Sequence, residues 1–159
     1  MRKKKYKPRP INPLAYKVAM QGAAKLTVDD VLRFVLPVDV AVNNARKGEI
    51  DKQGWQSIFN AINMLEAFIR MKVAFDKDGA IEHLQQTIIT ILDRTKQRGT
   101  KALYAEEISV LMDLRAMYAE VLAAVTHSQF FDAEEIVQKR LSRVMSEKPP
   151  RGVYIVNER

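Results

Sequence analysis

The chain has 159 residues, 47% hydrophobic and 28% charged, which suits one domain with a substantial core. Its apolar runs are short and broken by charge, excluding a membrane span of about 18–20 residues, and the absence of cysteine excludes disulfides, thiolate zinc sites and thiol nucleophiles together. The net charge of +7 is lopsided: Arg2, Lys3, Lys4, Lys5, Lys7, Arg9 and Lys17 face no acid within the first 17 residues, and the remaining 19 basic residues match 19 acidic ones.

A neutral body with a basic arm is therefore expected. Residues 1–11 combine clustered like charge with Pro8 and Pro10, which oppose helix, and predict an extended, flexible arm. That stretch has no apolar segment behind it, so it is not a secretory signal, and the cytoplasm of a bacterial host is the expected location. Asn12-Pro13 predicts a helix start, with Leu14 and Val18 turned inward and an end near Gly22.

Thr27 and Asp30 form a capping-box pattern ahead of Val31, Leu32, Phe34 and Val35. Pro37 predicts a kink or a fresh helix, which runs to about Lys47 and stops at Gly48. Asp51 predicts the cap of a long central helix reaching about Phe75. Ile58, Ile62, Leu65 and Ile69 make one apolar stripe there; Ala61, Met64, Phe68, Met71 and Phe75 make a second beside it.

After a turn at Asp76–Gly79, Ile81, Leu84, Ile88, Ile91 and Leu92 give an amphipathic helix with cations in its last turn and Gly99 behind it. The next helix spans about 103–126, with Tyr104, Ile108, Leu111, Tyr118, Leu122 and Val125 on one side. The last runs from near Gln129 to Ser146 on Phe130, Ile136, Val137, Leu141 and Val144, and Pro149-Pro150 stops it. Met64, Met71, Met112 and Met117 occupy core-like positions, although apolar helix surfaces of this extent could also be buried by self-association into a homo-oligomer. The expected architecture is all-α: a single compact bundle of five to six helices over residues 12–148, with an extended tail at 149–159.

Little in the chain announces catalysis. His83 and His127 sit outside any metal-ligand spacing, and His127 is expected at a helix end that favours a cation. The pairs Asp29/Asp30, Glu106/Glu107 and Glu134/Glu135 all fall in predicted first turns, where the helix dipole explains them. Glycine-rich phosphate loops and nucleophile elbows are missing, so neither an enzyme nor a cofactor is expected.

The arm carries the functional signal. Its cations can follow a phosphate backbone and Tyr6 can stack on an exposed base. Arg94, Lys96, Arg98 and Lys101 at one helix end could extend that footprint, and Lys139, Arg140 and Arg143 form a further basic group. The expected partner is nucleic acid or a nucleoprotein; a host or competing-element protein docking on the helical surface is the alternative.

The opening Arg2-Lys-Lys-Lys-Tyr-Lys-Pro-Arg-Pro-Ile-Asn-Pro, with Arg46-Lys-Gly-Glu-Ile-Asp and Ala61-Ile-Asn-Met-Leu-Glu-Ala-Phe-Ile-Arg70, resembles small uncharacterised proteins of proteobacterial phages and prophages. The resemblance implies an accessory protein of a mobile element and assigns no chemistry to any residue.

Overall fold

The computed structural model describes residues 13–146. The arm at 1–11, the Asn12 cap, Pro149-Pro150, the β-prone Val153–Val156 stretch and the tail at 149–159 lie outside the described residues. Six α-helices follow one another: α1 (Pro13–Ala23), α2 (Val28–Arg46), α3 (Lys52–Arg70), α4 (Ala80–Arg98), α5 (Ala105–Ala124) and α6 (His127–Ser146), with a 3-10 turn at Lys77–Gly79 before α4. No helix among the described residues is long and apolar enough to cross a membrane.

The central helix is α3, packed against α2, α5 and α6. Ile58, Ala61, Ile62, Met64, Leu65 and Phe68 are all buried, and Phe68 is wholly enclosed. Asp51 caps α3 by accepting the Gly54 N–H at 2.7 Å. A Cβ at Gly54 would stand 3.0 Å from Ile50 Cγ1 and 3.2 Å from Asp51 Oδ1, so glycine leaves room for buried Ile50 and the capping carboxylate at this turn. Phe34 of α2 stacks on Phe130 of α6 with centroids 4.3 Å apart, closing the core on the far side of α3.

Two capping boxes fix the bundle's other end. Thr27 Oγ1 accepts the Asp30 N–H, and Asp30 Oδ2 accepts the Thr27 N–H, both at 3.1 Å. Thr126 and Gln129 repeat the exchange at the start of α6. The Leu26 N–H donates to Val125 O at 3.2 Å and the His127 N–H donates to Ala24 O at 2.9 Å, tying the α1–α2 link to the α5–α6 link. The Thr27 hydroxyl holds the Asp30 carboxyl below its ordinary range, helped by the Thr27 amide and opposed by burial. Thr27→Ala should lower stability by about 1 kcal/mol, readable as a reduced urea midpoint at unchanged m-value.

Several expectations fail for identifiable reasons. Pro37 neither kinks nor restarts α2, which continues through it. Pro37 and Arg33, four residues earlier, are both exposed, so the missing hydrogen bond falls on the watered side. Helix α3 ends at Arg70 rather than near Phe75, because Lys72 takes a left-handed φ of 59° and the Val73 N–H closes onto Phe68 O at 2.9 Å. This is a Schellman stop without glycine, and it leaves Phe75 exposed. Leu14 and Val18 also face outward, since α1 packs on α6 from the bundle's edge. Tyr104 and Met112 are exposed rather than core residues.

Glu134 and Glu135 lie inside α6 rather than in its first turn, because the Thr126 cap starts that helix earlier than expected. His127 opens α6, where the dipole disfavours a cation; its Nε2 lies 3.7 Å from Asp30 Oδ2 instead.

Candidate functional site

The residues expected to touch nucleic acid separate into three groups. Arg2, Lys3, Lys4, Lys5, Tyr6, Lys7 and Arg9 lie outside the described residues. Lys17 is exposed on α1, in the stretch of that helix that packs on the start of α6. Arg94, Lys96, Arg98 and Lys101 gather where α4 ends and α5 begins. Helix α5 is about 30 Å long and runs from this cluster to the α1–α2 link, so Lys17 and the cluster lie toward opposite ends of it.

Within the cluster, Arg94 is already engaged. Its Nη1 donates to Glu107 Oε1, its Nη2 donates to Glu107 Oε2 at 2.6 Å and to Ala102 O at 3.2 Å, and its guanidinium lies 4.1 Å over the Tyr104 ring. Glu107 Oε2 also accepts the Tyr104 N–H at 2.8 Å, so one carboxylate caps α5 and anchors the end of α4. Burial pushes the Glu107 carboxyl up, but the Arg94 and Tyr104 donors outweigh it and hold the group below its ordinary value. The same bond raises the Arg94 guanidinium. Lys96, Arg98 and Lys101 remain exposed beside this pair.

Other body cations are similarly matched. Arg115 on α5 pairs with Asp39 on α2. Arg140 on α6 donates to Glu66 Oε2 at 3.0 Å, and Gln85 on α4 donates to Glu66 Oε1 at 2.6 Å, so Glu66 joins three helices. Lys139 pairs with Glu135 one turn away at 2.5 Å. Of the further basic group on α6, Arg143 alone has no ion-pair partner among the described residues. The ties of Arg115 and of Glu66 were not legible in the sequence, because only the fold brings those residues together, whereas Glu135 and Lys139 are local, four residues apart on one helix.

A polar cleft of about 450 Å³ opens between α2, α3 and α6, lined in part by Arg33, Gln53, Gln56, Asn60 and Glu134. Tyr118 stands at its base. Burial, reinforced by the Glu134 charge, pushes the Tyr118 phenol up to about 12, so it stays a neutral hydroxyl at neutral pH. Its amides, guanidinium, carboxylate and phenol can hold a polar group by hydrogen bonds. Among the described residues no three His, Cys, Asp or Glu side chains are grouped to hold a metal ion.

The largest departure from the sequence reading is apolar. Val28, Leu32, Leu36 and Val40 form an exposed ridge along α2, at 75%, 61%, 60% and 50% exposure. Their four-residue spacing was a readable signal, separate from the buried set Val35, Val38, Val42 and Ala45 on the opposite face. In comparisons with protein-family profiles, curated proteins and solved structures, nothing matches this chain.

Proposed function

We propose that the chain is a non-enzymatic accessory binding protein that engages nucleic acid or a nucleoprotein through the cations of residues 2–9, inside a bacterial host cell. One observation carries this: the net charge of +7 equals the seven unopposed cations of the first 17 residues. The body adds little attraction of its own, because Arg94, Arg115, Lys139 and Arg140 are held by acids. The leader would supply phosphate contacts that are blind to sequence, with Lys96, Arg98 and Lys101 as the exposed body cations able to extend them. The mobile-element context rests on the resemblance of residues 2–13, 46–51 and 61–70 alone.

Deleting residues 2–9 and measuring DNA and RNA binding at fixed salt tests the proposal. Affinity should fall at least about 100-fold; unchanged affinity overturns it.

A second reading is a protein–protein module that modulates a host or competing-element protein. An open cleft of about 990 Å³ between α1 and α6, lined by Val18, Ala19 and Phe131 among others, favours it. Pull-down from nuclease-treated lysate separates the two: partners that survive nuclease support the second, and loss of all partners supports the first.

A further inference from the structure

We infer that the outward ridge of α2 pairs with the same ridge of a second copy, running in the opposite direction across a two-fold axis near Leu36. The ridge is the longest continuous run of exposed apolar side chains on any one helix among the described residues, with Val28, Leu32, Leu36 and Val40 one turn apart. Antiparallel helices that cross at about 20° keep such faces in contact along their length. A closed dimer requires a patch complementary to itself. With the axis at Leu36, that residue meets its own copy and Leu32 meets Val40.

Charge favours one direction, with exposed Arg33 the one cation standing on the same half of α2 as Asp29. The start of α2 carries exposed Asp29, and its end carries exposed Arg46 and Lys47. None of these three has an ion-pair partner among the described residues. Antiparallel pairing brings Asp29 of each copy within about one helical turn of Arg46 and Lys47 of the other and opposes the helix dipoles favourably. A parallel arrangement would set acid on acid and base on base.

The neighbouring edge of α5 adjoins the ridge. Arg115, locked to Asp39, places α5 alongside α2, and the line that starts at Arg115 continues through Ala119 and exposed Ala123. A face of two helices, 19 residues long on α2, offers on the order of 600 Å² per copy. The total of about 1,200 Å² is the lower end of specific interfaces, consistent with micromolar rather than tighter association.

Sedimentation of the full chain from about 1 to 200 µM is the test. A reversible monomer–dimer equilibrium is expected, with Leu36→Asp raising the dissociation constant at least about 100-fold, because two carboxylates then meet on the axis. Leu36 is exposed, so helicity and Tm should stay near wild type at low concentration. Asp29→Lys should weaken the dimer several-fold, and Asp29→Lys combined with Arg46→Glu and Lys47→Glu should restore it. A chain that stays monomeric at 200 µM overturns the proposal and leaves the ridge to a different protein. A dimer indifferent to Leu36→Asp overturns it as well.

Discussion

Replacing Phe68 by alanine should remove about 3–5 kcal/mol of stability, the largest single-residue effect in this fold. The ring is wholly buried in the last turn of α3, the helix that touches α2, α5 and α6. Truncation therefore opens a cavity that no single helix can close by shifting, because moving toward it loosens another contact. The loss is a large fraction of the about 5–15 kcal/mol typical of a domain. Thermal unfolding should drop by about 10 °C or more. Phe68→Leu should cost far less; comparable losses for Leu and Ala would contradict the central placement of α3.

The second large effect concerns Glu107. Glu107→Gln keeps the shape but leaves the Arg94 guanidinium, 10% exposed, without its counter-charge. Breaking such a pair from one side strands the remaining charge, so Tm should fall by about 5–10 °C. Arg94→Met with Glu107→Met should recover much of that loss, since apolar replacement of both partners removes the stranded charge.

The pH dependence follows the same pair. Glu107 titrates below its ordinary 4.5 in the folded chain. The unfolded chain therefore takes up the proton first as pH falls. The stability contributed by ionised Glu107 is complete above about pH 4.5 and disappears as pH drops through the lower folded value. Asp30 and Glu135 are shifted in the same direction, by the Thr27 hydroxyl and by Lys139. Chemical denaturation from pH 7 to 3 should show a steep acid-side loss in the parent and a shallower one in Glu107→Gln. Equal slopes would remove Glu107 from the account.

Much of the fold could be read because its signals are local. Capping at Thr27 and Asp51, the left-handed stop at Gly99 and the core stripes of α3 and α4 all depend on residues a few positions apart. The end of α3 was illegible because Lys72, not glycine, adopts the left-handed turn. The continuity of α2 is not legible in the sequence because the cost of Pro37 depends on which side faces water, and that is a tertiary fact. Thr126 and Gln129 form a capping box that is legible in the sequence and places Glu134 and Glu135 inside α6.

The candidate sites were less legible than the fold. Charge excess near the N-terminus needs only counting, whereas the removal of Arg94 from the free cations needed Glu107 to arrive from another helix. Exposure of Val28, Leu32, Leu36 and Val40 likewise depends on α5 and α3 taking the opposite face of α2. A four-residue spacing suggests a ridge, but sequence alone cannot say which of two apolar ridges the core takes.

Because the body is electrically matched, affinity for a polyanion should depend on salt almost entirely through the leader. The decisive measurement is binding to single- and double-stranded oligonucleotides from about 50 to 300 mM salt, for the full chain and for a version with Arg2, Lys3, Lys4, Lys5, Lys7 and Arg9 changed to glutamine. A logarithmic slope near −5 on duplex DNA for the full chain, collapsing toward zero in the glutamine version, is expected. Equal slopes for the two, or no binding by the full chain at 50 mM salt, would contradict the assignment of its positive charge to a polyanionic partner.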